Sequence, residues 1–308
     1  MKKGMREKRT STKRILLIIG GVLVFTFVIL PLFLILFDGS KIGNVAIIPI
    51  EGPIMVGSGQ VFSGEAVVSS GDITNFIQEA EQNPQIKAII LVINSPGGSA
   101  VASDEIAAAV VKAEKPVVAL IREVGASGGY WVASAADYIV ANRMSITGSI
   151  GVISSYLEFS GLLNDYNVTY QRMIAGKYKD LGTPFKGLAA DERTILQEKL
   201  NTIHDFFIQG VAENRGLDVN AVRKIATGEF YLGIEALKLG LVDELGDMAT
   251  VEQYLRTNYN LDSLEPVVYQ REIGFLELLA GVAADFSFDL GRGFASWTLQ
   301  ENKMILMT

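Results

Sequence analysis

Lys87-Ala88-Ile89-Ile90-Leu91-Val92-Ile93 is an apolar run without alternation, and it stops at Asn94-Ser95-Pro96-Gly97-Gly98. A continuous run of this length suits a strand buried on both faces. The Gly-rich turn then opens a helical stretch over 99–113. The pattern repeats at once. Residues 116–121 read as another buried strand, Gly125-Ala126-Ser127-Gly128-Gly129 is a second Gly-rich turn, and a short helix follows to about Ala136. A further strand is expected over 138–141. Strands that alternate with helices predict an α/β fold with a largely parallel sheet. Turns of this kind gather polar backbone groups at one end of the sheet, where α/β proteins place their sites.

Working outward, Val45 to Ile50 reads as a first strand, residues 55–66 as a loop and Asp72 to about Gln82 as a helix. Downstream, Val168 to Met173 has the look of a strand. Ala190 to Arg215 is a long amphipathic helix, with Leu196, Leu200, Ile203 and Phe207 on its apolar stripe. Helices are expected at Asp218 to about Ala226, at Ile234 to Leu239 (ended by Gly240) and at Met248 to Tyr259. Glu265 to Tyr269 reads as a late strand. The tail from Phe275 is rich in Phe and Leu and assigns to nothing.

Composition excludes several functions. The 308 residues contain no cysteine, so disulfides, thiolate metal sites and a cysteine nucleophile are out. His204 is the one histidine, so a site built on several histidines of one chain is impossible. The net charge of −7 hides a split: Lys2, Lys3, Arg6, Lys8, Arg9, Lys13 and Arg14 crowd the amino terminus against Glu7. The remainder is acidic and shows no basic stripe, which argues against nucleic-acid binding.

Ile15 to Phe37 is an uninterrupted uncharged run. As a helix it would span roughly 34 Å, enough for the ~30 Å hydrocarbon core. The run is too long for the apolar part of a cleaved signal peptide, and no Ala-x-Ala-like site follows it. The expectation is therefore a cytoplasmic basic tail over 1–14, a single transmembrane anchor over 15–37, a catalytic domain over 38–262 and a C-terminal tail over 263–308. The basic cluster should stay in the cytoplasm and leave the domain on the outer side of the cell membrane.

Ser127 lies where a buried strand turns into a helix, among small neighbours. There its hydroxyl is accessible, and the N–H of Gly128 can point at an oxygen that gains charge during acyl transfer. Gly98, in the matching turn of the preceding strand, offers a second donor. The plainer reading of Ser127 is an N-cap serine. Two such turns on successive strands are more specific than either one.

A nucleophilic serine needs a base. Gly125 to Gly129 also fits the G-x-S-x-G elbow, whose mechanism uses a histidine on a loop. His204 instead falls inside the long helix, beside the apolar stripe. A lysine is the other option. It must be neutral to accept a proton, which requires its pKa to fall from ~10.4 towards 7–8 in an enclosed site. In Gly176-Lys177-Tyr178-Lys179-Asp180, spacing leaves Lys177 and Lys179 as equal candidates. Tyr130, Trp131, Ile150, Val152 and Ile153 lie near the motifs and are the expected apolar contacts for a hydrophobic peptide.

Taken with Thr147-Gly148-Ser149-Ile150-Gly151-Val152, these motifs resemble, in order, those of the short form of signal peptide peptidase A. That family has a Clp-protease/crotonase-like fold. The resemblance implies a membrane-anchored serine endopeptidase with Ser127 as nucleophile, Lys179 as base and Ser149 orienting the lysine. It implies an oxyanion hole of Gly98 and Gly128, and gives Lys177 no catalytic duty. It also implies no metal or other cofactor, an oligomer whose subunits share the site, and substrates such as remnant signal peptides in the membrane. The alternatives are a stomatin-associated peptidase of the same fold, a crotonase-type acyl-CoA enzyme and an inactive membrane scaffold.

Overall fold

A computed structural model describes residues 18–30, 43–57, 67–261 and 263–271. Its centre is β4 (Ala88–Ser95), in which every residue except the half-buried Asn94 is buried. Ile89, Leu91 and Ile93 face one side of the sheet, and Ile90 and Val92 face the other. Fully burying one such side chain is worth about 1.5–3 kcal/mol, so a run apolar on both faces settles at the middle of a covered sheet.

The main sheet runs in the order β10 (Pro266–Val268), β1 (Val45–Glu51), β4, β5 (Val117–Ala126), β6 (Tyr138–Ala141) and β9 (Glu244–Leu245). All these neighbours pair in parallel. β7 (Ile146–Gly148) pairs with the far end of β5, and β8 (Phe230–Leu232) pairs antiparallel with β7. β2 (Ile54–Met55) and β3 (Val68–Ser69) form a separate small pair.

Helices α1 (Ser70–Gln82), α2 (Ala100–Val111) and α3 (Gly128–Ser134) pack on one face with the C-terminal half of α5 (Ala190–Arg215). Val251 and Leu255 of α8 (Met248–Tyr259) cover the other face. Three shorter helices complete the set: α4 (Ser160–Asp165), α6 (Val219–Ile225) and α7 (Gly233–Lys238). α5 ends where Gly216 takes the left-handed conformation, with φ 61°. Arg215 fixes that end by an ion pair to Asp243 at 2.5 Å.

The fold is thus mixed α/β with a mostly parallel sheet. One expected strand is absent. Residues 168–173 form no ladder, and Val168 and Met173 are 51% and 97% exposed. Among the described residues no neighbouring strand lies alongside to pair with them. The late strand is real: β10 adds to the edge at β1, and Tyr269 just beyond it is buried and accepts from Asn83 Nδ2 at 3.2 Å. The first residues of 263–308 therefore belong to the sheet.

Residues 18–30 are helical and exposed, with a π-helical turn at Phe25–Ile29. Among the described residues no helix is long and apolar enough to cross a membrane. The basic tail 1–14, both ends of the 15–37 run, most of the 55–66 loop and the tail from Phe275 lie outside the described residues.

Candidate active site

β5 changes partner partway along its length. Val118 to Ile121 pair with β6, and Val124, Gly125 and Ala126 pair with Ile146, Thr147 and Gly148 of β7. The side chain of Asn94 bridges the irregular step by accepting from Val124 N–H at 3.1 Å. Buried Thr147 ties β7 to β5 by donating to the Gly125 carbonyl at 2.8 Å. The strand then ends at Ser127, whose φ is 52° and ψ −123°.

For a residue with a side chain, such a backbone costs of order 1–3 kcal/mol and persists only where its surroundings fix it. Here Ser127 N–H donates to the Gly148 carbonyl at 2.8 Å, and its own carbonyl accepts from Trp131 N–H at 2.9 Å. Ser127 stands at the N-cap position of α3, yet its side chain makes no capping bond. The plain N-cap role is therefore absent. Strain is spent on holding a half-buried hydroxyl with no hydrogen-bond partner among the described residues.

The second turn packs directly on the first, because Ser95 is in register with Gly125. Gly97 has φ +95°, and a Cβ there would lie 2.6 Å from Gly128 N and 2.9 Å from Ser127 Cβ. A Cβ on Gly128 would lie 3.3 Å from Gly98 N. The backbones of the two turns are thus in contact beside Ser127. Neither the Gly98 N–H nor the Gly128 N–H has an acceptor among the described residues.

Ile54 closes the outer side of this turn. Its N–H donates to the Gly97 carbonyl at 2.9 Å, and its carbonyl accepts from Ser99 N–H at 2.8 Å. Any Cβ on Gly98 would meet that carbonyl at 2.1 Å. Ser95 fixes the turn from within: its hydroxyl donates to the Gly52 carbonyl at 2.6 Å and accepts from Gly97 N–H at 3.1 Å. The supporting roles of Asn94, Ser95 and Thr147 escaped the sequence reading. Their polarity at otherwise buried motif positions was the available signal.

Ser149 follows Gly148, and one more step of the β5–β7 register sets it alongside Ser127. It too has a positive φ, 51°. Its N–H donates to the Glu229 carbonyl at 2.9 Å, and its hydroxyl reaches the Gly228 carbonyl at 3.3 Å. Ser127, Ser149, Gly98 and Gly128 are therefore gathered at one end of the sheet.

Lys179 is not gathered with them. It lies in the mostly exposed segment 152–189 and is itself exposed, with no side-chain hydrogen bond to Ser127 or Ser149 among the described residues. Among the described residues, none makes the enclosure that a neutral lysine requires. Lys177 differs from it in one useful respect. Hydrogen bonds to Tyr178 and Asp191, at 2.9 Å each, push its pKa upward and hold it charged, which disfavours it as a base. The His204 ring nitrogen Nε2 lies 3.2 Å from the Ile150 carbonyl, part-buried on α5.

The expected apolar contacts also divide. Tyr130, Trp131 and Ile150 are in the core, whereas Ile153 is 86% exposed. Trp131 stacks on Phe207 with ring centroids 4.6 Å apart.

The model of Peptidase family S49 matches residues 109–262, a span that includes Ser127, Ser149 and Lys179. A Methanocaldococcus jannaschii protein named as a protease is 37% identical over 221 residues, covering 71% of this chain and 70% of that one. An Enterococcus faecium protein named as signal peptide peptidase SppA is 30% identical over 264 residues, covering 84% and 74%. Protease 4 of Haemophilus influenzae is 32% identical over 232 residues, covering 74% of this chain and 35% of that one.

Proposed function

The chain belongs to Peptidase family S49, with SppA-like relatives, and we propose that it is a membrane-anchored serine endopeptidase working through Ser127 and Lys179. The observation that carries this reading is the backbone of Ser127: a strained turn presents a hydroxyl beside two backbone N–H groups, none of them with a hydrogen-bond partner among the described residues. The fold proposed for it is that of the Clp-protease/crotonase-like superfamily.

The chemistry follows from those parts. Neutral Lys179 removes the proton from Ser127 Oγ as that oxygen bonds to the scissile carbonyl carbon. The carbonyl π electrons move onto its oxygen, and the Gly98 and Gly128 N–H groups donate to the resulting anion. When the intermediate collapses, the C–N bond breaks and the lysine ammonium protonates the leaving amine. A water, deprotonated by Lys179, then hydrolyses the ester and restores Ser127. Ser149 orients the lysine amine by a hydrogen bond.

Exposure of Lys179 supports a site completed by a neighbouring copy of the chain. The same segment exposes Ile153, Leu157, Tyr166 and Met173 at 73–97%, an apolar surface that such a neighbour would cover. The proposed substrates are hydrophobic, extended peptides such as remnant signal peptides. The uncharged run 15–37 supports this by holding the domain at the outer face of the membrane, with the basic tail 1–14 in the cytoplasm.

A fluorophosphonate probe on full-length protein tests the nucleophile. It should label the wild type and leave Ser127→Ala unlabelled; equal labelling of both overturns the assignment. Comparing kcat/KM for a hydrophobic signal peptide and a charged peptide of equal length tests the substrate class. A ratio at or below one sinks that part and leaves the chemistry standing.

A further inference from the structure

Asp180, the residue after Lys179, is the centre of an ion network that the catalytic scheme above does not use. Its side chain is only 9% exposed, although the segment around it is mostly exposed. Arg172 holds it by one hydrogen bond, Nη2 donating to Oδ1 at 2.9 Å, and its Nε makes an ion-pair contact 2.8 Å from the buried Oδ2, which has no hydrogen-bond partner among the described residues. Lys186 Nζ lies 3.2 Å from Asp180 Oδ1 and 2.6 Å from Glu192 Oε1. Glu192 is in the first turn of α5, with a side chain 6% exposed, and its other oxygen accepts from Ala189 N–H at 3.1 Å. The chain of contacts therefore runs from Lys179's neighbour to a helix whose far half is packed in the core.

Buried carboxylates need cations, and this network supplies two of each sign. We infer that the Arg172–Asp180–Lys186–Glu192 network positions Lys179 and keeps the charge around it balanced, acting through Asp180. This rests on Lys179 being the base.

The network serves two needs. An amine at the tip of a four-carbon chain is useful only if its backbone is fixed, and segment 152–189 contributes almost no core contact that would fix it. An unbalanced carboxylate one residue along the chain would also favour the charged, inactive form of the amine. Here Arg172 and Lys186 offset Asp180, and Glu192 offsets the extra cation. The hydrogen bond to Glu192 in turn holds Lys186 firmly charged and the Glu192 carboxyl below its usual range.

The other charged groups of the segment and of the first turn of α5 do not supply this balance. Lys177 and Asp191 pair with each other at 2.9 Å. Glu158 caps the N–H of Ser160, and Asp165 and Arg193 are exposed.

The test uses the full chain and reads the acid limb of kcat/KM against pH, which reports the base of the free enzyme. Arg172→Gln and Lys186→Gln each leave one net negative charge, so the limb should move to higher pH. Asp180→Asn leaves one net positive charge, so the limb should move to lower pH. Each shift should be about 0.3–1 unit, the size of one nearby charge acting across partly screened solvent. Arg172→Lys, which keeps the charge, should restore the limb and regain only part of the rate, since a lysine cannot reproduce the planar guanidinium's contacts to both carboxylate oxygens.

A purely structural network predicts otherwise: falling melting temperature and yield with an unmoved limb, or shifts of one sign in all three variants. Either result overturns the inference. If Arg172→Gln fails to fold, Lys186→Gln and Asp180→Asn still give the opposed pair. Lys179→Ala is measured alongside them. Retained activity there means that the base assignment itself has failed, an outcome distinct from unmoved limbs in an enzyme that does depend on Lys179.

Discussion

Replacing Gly97 by alanine should damage the protein in two separable ways. Gly97 sits at φ +95°, beyond even the left-handed helical region that non-glycine residues occasionally adopt. Forcing a side chain there costs of order 1–3 kcal/mol in backbone strain. The added Cβ would also lie 2.6 Å from Gly128 N and 2.9 Å from the Ala126 carbonyl. Both neighbours are backbone atoms of the β5 end and the start of α3, so neither can rotate away. Overpacking of that kind adds about 1–3 kcal/mol. A combined loss of about 2–6 kcal/mol corresponds to a fall in melting temperature of roughly 4–24 °C for a domain of this size. The atoms pushed apart include the Gly128 N–H itself. Losing one oxyanion donor typically costs about 10²–10³ in kcat, so activity should fall by that order at temperatures where the variant is fully folded. Thermal melts and peptide kinetics on full-length protein read the two effects independently. Gly161→Ala is the control, because a Cβ there meets nothing within 4 Å and the residue lies in helix α4. A Gly97→Ala variant with wild-type melting temperature and wild-type kcat would refute the close approach of the two turns.

Lys179→Ala should abolish peptide hydrolysis as fully as Ser127→Ala, because residues that act as a unit, as proposed for these two, are not additive. Lys177→Ala and His204→Ala should each stay within a few-fold of wild-type kcat, and a larger loss in either reassigns the base. Stability should decline between pH 10 and 12, because burial, then the hydrogen bond with Glu244, push the Tyr138 hydroxyl up to about 12 from 10.0. The folded state holds that proton more tightly, so its contribution is intact below pH 10 and is lost as pH rises through 12. Melting temperature against pH should fall less steeply in Tyr138→Phe; identical slopes would contradict this. Protease added to intact spheroplasts should digest the domain and spare an epitope placed within the basic tail ahead of Ile15, and protection of the domain until lysis would reverse the orientation.

The parts of the fold legible from sequence are those whose signal is local. The two-faced apolar run of β4 and the turns at Gly97-Gly98 and Gly128-Gly129 carry their own instructions: burial on both sides, and backbone that tolerates no Cβ. Met248–Tyr259 and Ala190–Arg215 were readable to the residue, since helical periodicity over three or more turns is hard to mistake. What escaped was pairing at a distance. β8 is three residues that form a strand only because Ile146 to Gly148 lie opposite, and β9 is two residues beside β6. The false strand at 168–173 failed for the same reason in reverse. Its residues read as a strand, yet Val168, Tyr170 and Met173 are exposed and belong to no ladder. At the site, motif and turn pointed to Ser127, Gly98 and Gly128. The register that sets Ser149 beside Ser127 belongs to the β5–β7 pairing, which no local pattern announces.

That misreading of 168–173 bears on how the proposed site is divided. The serine half is built from core strands: Ser127 is held between the Gly148 carbonyl and Trp131 N–H, and every supporting hydroxyl or amide is buried or half-buried. The lysine half is built on a surface segment whose apolar side chains have no cover among the described residues. A rigid half can bear the strain at Ser127, because the surrounding sheet over-determines its backbone. A base has the opposite requirement. A lysine buried permanently within the fold would lower stability whenever it became protonated, since an unpaired buried charge is costly. Keeping Lys179 at the surface, clamped through Asp180 and enclosed only when a neighbouring copy or a substrate covers it, avoids that penalty in the free chain. On this reading the exposed apolar residues of 153–178 and the exposed base are one feature, and covering the first is what dries the second.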